Sequence, residues 1–304
     1  MAISRAQLLK ELLPGLNALF GLEYARYGEE HKEIYETETS ERSFEEETKL
    51  SGFSAAPVKN EGSAIAYDNA QEAWTARYNH ETIALGFSLT EEAIEDNLYD
   101  SLSARYTKAL ARAMAYTKQV KAASVLNNGF NAAYTGGDGV SLCSTAHPNT
   151  AGGTWSNKPT VDVDLSEAAL EDAVVAIMGL QNDRGLLVAI QPNSLHIARQ
   201  EIFNAQRILH SSYQTGNANN DINVIKSGNY IPGGFKVNHY FTSPHAWFIR
   251  NTIPGGTGMK YYERHAIAFD QDNDFDTMNV KAKGYERYSF GWSDPRAVWG
   301  SNGP

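Results

Sequence analysis

The chain has 304 residues, 42% of them hydrophobic and 20% charged, with a formal net charge of −10 and a single cysteine. Such a composition belongs to a globular, soluble chain. It excludes an internal disulfide framework, argues against the basic face of a nucleic-acid reader, and contains no apolar run of the ~20 residues that a membrane-spanning helix needs.

Near the N-terminus, Ser4 is placed to cap a short helix to about Leu13, with Gln7 completing a capping box, and Pro14 and Gly15 should interrupt it. The apolar run Leu12–Leu22 is broken by the same pair and lacks a small-residue cleavage site, so it does not read as a signal peptide. From Glu23 to Glu47, ten glutamates stand against Arg26, Lys32 and Arg42, a local charge of −7. With few aliphatic residues, this segment reads as a solvated acidic arm without a core.

Residues 50–88 mix small residues with strand-like alternation at Ile65 and Tyr67 and again from Thr82 to Leu89. "APVKNEGS" between them has turn chemistry. The whole reads as a long two-stranded ribbon, which is marginal alone in water and expects another surface to lie on. Trp74 falls in this ribbon, away from any core of its own, so an intersubunit contact is its expected home.

Thr90 then opens a helix, with Glu91 and Glu92 in its first turn where the helix dipole favours anions. Ile94, Leu98, Leu102, Tyr106, Ala109, Leu110, Ala113, Val120 and Ala123 keep a helical period, and no Gly or Pro occurs until Gly129. About 37 residues at ~1.5 Å each predict a rod of roughly 55 Å. Residues 129–160 are glycine-rich and predict an extended loop.

A new α+β unit begins near Val161. Asp164 and Glu167 are placed as a capping box, and Leu170, Ala173, Val174, Ile177 and Leu180 mark one helical face. Leu186–Ile190 reads as a buried strand, followed after Pro192 by a helix through Leu195, Ala198 and Ile202. "INVI", "KVNHYF" and "AWFIRN" read as strands. At the end of the chain, Val280 and Ala282 alternate with lysines, and Tyr288, Phe290 and Trp292 with Ser289 and Gly291, giving antiparallel strands with an aromatic face and a turn at Asp294–Pro295.

Two groups invite chemistry. Cys143 and His147, in "SLCSTAHPNTAGG", raise a nucleophile with its base or half of a zinc site. Four residues apart in a Gly/Ser/Thr loop, they lack the third group that orients a catalytic base and the further ligands that zinc requires, so both read as residues of a structural loop. Asp270, Asp272, Asp274 and Asp276 resemble a calcium loop, but Phe275 and Lys281 occupy the positions where an EF-hand needs Gly and Glu, which leaves a solvated turn. Phosphate-loop, GxGxxG, GxSxG and HExxH patterns are absent. No catalytic, cofactor or metal site is expected.

The order of elements carries more than any motif. The arm, ribbon, long helix, glycine-rich loop, α+β unit and terminal aromatic strands resemble the major capsid protein of tailed bacteriophages, with the Hong Kong 97-type α+β fold. "LCSTAHPNTAGG" after the long helix, "LVAIQPNSLHIARQEI", "GFKVNHYFTSPHAWFI" and "YSFGWSDPRAVWGS" are similar to stretches of that family. The resemblance implies an N-terminal arm at 1–43 and an E-loop at 44–83. It implies a peripheral domain at 84–160 and 255–304, with a spine helix at about 90–127, and an axial domain at 161–254. It further implies self-assembly into pentamers and hexamers that form an icosahedral shell around double-stranded DNA held without sequence-specific binding. A separate scaffolding protein and a portal would be partners, with no membrane. The product would be a virion assembled in the host bacterial cytoplasm. Phe53, Lys59 and Trp74 are then candidate subunit-interface residues. Some members crosslink a Lys to an Asn. Lys59 lies near the ribbon tip, but no partner Asn or catalytic Glu is identified. The alternatives are an encapsulin-like shell around protein cargo and, from another class, a cysteine hydrolase using Cys143.

Overall fold

The computed structural model describes residues 5–90, 92, 99–214, 221–254, 258–274 and 279–303. Ser4, Glu91 and the segment 93–98 with Ile94 and Leu98 lie outside the described residues, and with them the expected cap of the first helix and most of the turns expected after Thr90.

Helix α1 (Arg5–Ala25) runs through Pro14 and Gly15 instead of stopping. An internal proline costs a helix about 3 kcal/mol. Burial of Leu16 and Phe20 offsets that, Phe20 packing with Leu110, Ala111 and Met114 of the long helix α2 (Tyr99–Asn127). The buried side of α2 also differs from the expected stripe. Tyr106 is 46% exposed, whereas Ser103, Thr107, Lys118 and Gln119 lie inside beside Leu110, Met114, Ala122 and Leu126.

The acidic segment is not a solvated arm. Ile34 and Tyr35 are core residues, and β1 (Glu36–Thr39) pairs in parallel with β10 (Met259–Asn273). Its glutamates neutralise cations far along the chain: Glu23 with Arg112 at 2.9 Å, Glu33 with Lys236 at 3.3 Å and Glu38 with Lys260 at 2.8 Å. A run of like charge is therefore one half of several long-range ion pairs, which composition alone does not show.

Two four-stranded sheets organise the body. The first has the order β1, β10, β11 (Val280–Trp292), β4 (Glu81–Leu89). α2 lies across β11 and β4. Val280 and Ala282 are buried between exposed Lys281 and Lys283, as the alternation predicts. The second sheet has the order β12 (Val298–Ser301), β9 (Trp247–Thr252), β7 (Gln191–Ala198), β8 (Phe235–Asn238). Leu195, Ile197, Trp247 and Ile249 share one cluster with helices α3 (Glu167–Met178) and α4 (Ile202–His210). Phe248 and Val298 instead join the C-terminal end of α2 through Ala122, Leu126, Leu142 and Cys143. One cluster thus packs the two sheets together, Tyr261 and Tyr288 of the first against Phe248 and Val298 of the second.

Within the second unit several expectations are corrected. Ser166, not Asp164, caps α3, its hydroxyl accepting from Ala169 N. Leu186–Ile190 is no strand, and Leu187 is 66% exposed. The strand is the next segment, Gln191–Ala198, where a helix was expected. Pro192 is tolerated there because it stands near the start of the strand, at the bulge between Pro192 and Ser194 where the register with β9 shifts. Part of "INVI" forms the short helix α5 (Val224–Ser227), because the Asn223 side chain accepts from Lys226 N and caps it.

Candidate functional site

β2 (Phe44–Leu50) and β3 (Glu72–Asn79) form an antiparallel ribbon, with Phe44 opposite Asn79 and Thr48 opposite Thr75. Residues 51–71, including Ile65 and Tyr67, are extended chain without strand pairing, contrary to the alternation. Ser51 N donates to Gln71 O at 2.8 Å and Ser54 N to the Asp68 carboxylate at 2.7 Å. The chain reverses at Glu61–Gly62, where Gly62 adopts φ +76°, a conformation only glycine takes without strain. Beyond this frame Phe53, Val58, Ile65 and Tyr67 are 60%, 92%, 65% and 94% exposed, and Lys59 is exposed with them.

A polar network seats the ribbon on the body. Glu47 accepts from Tyr262 Oη at 2.6 Å, from Lys260 Nζ and from Ser293 Oγ. Burial opposes its charge, but these donors prevail and hold the carboxyl below its usual range. Lys49 Nζ meets Asp294 Oδ2 at 2.6 Å and lies 4.6 Å from the centre of the Trp74 ring. Burial opposes charge on Asp294 as well, and Lys49 and Arg296 outweigh it to keep this carboxyl low. Arg296 pairs with Asp183 at 3.0 Å, both side chains 2% exposed, and its guanidinium lies 4.3 Å over Trp155. Charge therefore runs unbroken from β2 to the loop after α3. That loop also reaches the ribbon directly, Arg184 Nη2 donating to Asn69 O at 2.7 Å.

Trp74 is half-buried on its own chain. Its Nε1 donates to Ser293 O at 3.3 Å. A Cβ on Gly137 would come within 2.7 Å of Thr75 O and 2.8 Å of the Trp74 ring, so this loop can pass β3 only as glycine. Of the sequence-selected residues, Phe53 and Lys59 lie on the exposed excursion and Trp74 at its base; the structure does not bring the three together. Sequence reasoning missed Glu47, Lys49, Asp183 and Arg296, because a charge becomes a fastener only when its partner, over a hundred positions away, is known. The Asp294–Pro295 turn was the one local signal.

The loop of Cys143 and His147 carries the short antiparallel pair β5 (His147–Pro148) and β6 (Thr154–Trp155) and is packed, not extended in solvent. Cys143 is buried, and burial pushes its thiol far above the usual range. His147 is directed elsewhere: its Nδ1 meets Asp138 Oδ2 at 2.6 Å, its Nε2 meets Asn157 Oδ1 at 3.0 Å, and its ring stacks on Trp155. The cysteine lacks both an activating base and access. Among the described residues, no group of three or more His, Cys, Asp or Glu could hold a metal ion, and no helix is long and apolar enough to cross a membrane. Asp270 pairs with Lys283 at 3.5 Å and Asp274 with Lys281, while Asp276 lies outside the described residues.

The fold has close counterparts among solved shells. The capsid of Cyanophage P-SCSP1u matches with a TM-score of 0.56 at 10% identity, over 87% of this chain and 85% of that one. The procapsid of bacteriophage JBD30 matches with a TM-score of 0.52 at 14% identity, over 98% and 76%. A virus-like particle from Pyrococcus furiosus matches with a TM-score of 0.53 at 12% identity, over 95% and 98%. No curated protein matches the sequence. A family model described as phage capsid protein matches residues 73–301, three quarters of the chain, and favours neither the protein-cargo shell nor the Cys143 hydrolase. With the α+β Hong Kong 97-type fold in place, the chain belongs to the phage capsid protein family, and its role is that of a major capsid protein, a structural component of an icosahedral bacteriophage shell.

Proposed function

We propose that copies of this chain assemble as pentamers and hexamers and close a shell around double-stranded DNA. The observation that carries this is the ribbon excursion, where Phe53, Val58, Ile65 and Tyr67 stand uncovered on a segment with no core beneath them. Exposed apolar side chains in such a cluster mark a partner surface. In this reading residues 1–43 are the N-terminal arm, 44–83 the E-loop, 84–160 with 255–304 the peripheral domain and 161–254 the axial domain. Phe53 and Lys59 contact a neighbouring copy, and Trp74 joins them through the part of its ring that its own chain leaves open. A net charge of −10 supports a container in which DNA slides without sequence-specific grip. A separate scaffolding protein and a portal complete the assembly, which takes place in the host bacterial cytoplasm.

Electron microscopy of the expressed chain, alone and with a scaffolding protein, tests the proposal. Shells or capsomers are the expected result. A chain that stays monomeric under all these conditions overturns it.

A further inference from the structure

Among the described residues, ten of the twenty exposed large apolar side chains fall between Val161 and Tyr230. The 161–254 unit makes up about a third of the chain, so it is rich in uncovered apolar surface. Two of these side chains stand on neighbouring helices. α3 and α4 bury their inner faces in one core, α3 over β7 and α4 toward the β8 edge of the sheet. The outer face of α3 presents Glu171, Asp172 and Val175, the last 72% exposed. The outer face of α4 presents Phe203, 75% exposed, with Arg207 one turn on. Lys226 of α5 stands at the end of α4, its Nζ donating to His210 O at 2.7 Å. None of Glu171, Asp172, Arg207 and Lys226 has an opposite charge as a partner among the described residues. One chain thus carries two exposed faces, each with a large apolar side chain at its centre, one flanked by acid and the other by base.

We propose that α3 of one copy docks on α4 of a second copy, Val175 against Phe203, with Glu171 and Asp172 facing Arg207 and Lys226. The inference rests on the shell reading above and gives its subunit contact a chemistry. The two faces differ, so the contact is heterologous and passes from copy to copy in one direction. Such a contact closes into a ring when its rotation allows, and like-charge placement rejects the wrong pairing of α3 on α3.

Charge reversal tests it. Glu171→Lys with Asp172→Lys makes both faces basic, and Arg207→Glu with Lys226→Glu makes both acidic. Each double variant should stay folded by circular dichroism, with at most a modest fall in melting where Arg207→Glu and Lys226→Glu give up their exposed hydrogen bonds to Phe203 O, His210 O and Ser212 Oγ, yet show at least tenfold less assembled protein by sedimentation and microscopy. The quadruple variant restores opposite charge on the two faces and should assemble to within about threefold of the parent. Double variants that assemble like the parent overturn the proposal, as does a folded quadruple variant no better than the doubles. A parent that forms no oligomer would instead refute the shell reading, and this contact with it. Independently, Val175→Cys combined with Phe203→Cys should give a ladder of oxidised multimers on a denaturing gel, because the native Cys143 is buried. Each single-cysteine variant should run as the monomer, because its thiol faces Phe203 or Val175 of the next copy and not a second thiol, and a double variant that also runs as the monomer overturns the proposal.

Discussion

Asn157 is a small residue with a large structural reach. It is fully buried, and its Nδ2 faces Leu142 O at 2.7 Å and Pro295 O and Val298 O at 3.1 Å, while its Oδ1 accepts from Ser144 N at 2.8 Å. One amide therefore ties the loop after α2 to the terminal strand β12. Asn157→Ala leaves several buried groups without partners and should lower unfolding free energy by about 3–5 kcal/mol, measured by chemical denaturation. Leu195, with no exposed surface, contrasts with Leu187 at 66%. Leu195→Ala should cost about 2–5 kcal/mol and Leu187→Ala less than about 0.5 kcal/mol. His196 adds a pH dependence. Burial, helped by Arg250 and Lys236, pushes its imidazole from 6.5 down to about 3. Because the folded value lies below the unfolded one, the unfolded chain takes up the proton first as pH falls. The contribution is present above pH 6.5 and is lost progressively toward pH 3, by about 2 kcal/mol at pH 5. Unfolding free energies at pH 8 and pH 5 should converge by that amount in His196→Gln.

The ribbon shows what local sequence can and cannot specify about an element. Its turn chemistry was legible, and so was the period-two strand from Thr82 to Leu89, but that strand is β4 of the first sheet, and the ribbon instead pairs Phe44–Leu50 with Glu72–Asn79. The long helix and terminal strand were legible for the same reason, since an unbroken period survives whatever it packs against. Helix α1 was not, because burial of Leu16 and Phe20 overrides Pro14. Nor was β7, where a parallel partner from forty residues downstream decides between strand and helix for "LHIA". The seat of the ribbon was hidden most completely, being made of charges that look solvated until paired. Those charges set an acid limit. Glu47 and Asp294 are held below their ordinary values of 4.5 and 3.8, so the stability they contribute is present above pH 4.5 and is lost as pH falls through and below that range. Amide exchange in β2 and β3 should quicken below about pH 4 while the β7 and β9 amides stay protected. Asp294→Asn removes the anion facing Lys49, and should give fast exchange in β2 already at pH 7.

Across a whole shell, weak contacts act through repetition. Each copy folds on its own core, which lies in the two sheets and their helices, whereas the ribbon excursion adds little to that core. Phe53 and Tyr67 are 60% and 94% exposed in the single chain, so their removal should scarcely change its melting. Burial of an aromatic side chain against a neighbour contributes about 1.5–3 kcal/mol, and each 1.4 kcal/mol is a tenfold change in an association constant. Phe53→Ser and Tyr67→Ser should therefore each raise the lowest concentration at which closed particles form by tenfold or more. The two together should abolish closure at concentrations where the parent assembles fully. Sedimentation across a dilution series, beside calorimetry of the unassembled chain, separates the effects. Closure thresholds equal to the parent would mean that the excursion touches no neighbour, and a melting transition lowered in step with assembly would mean that it belongs to the subunit's own core.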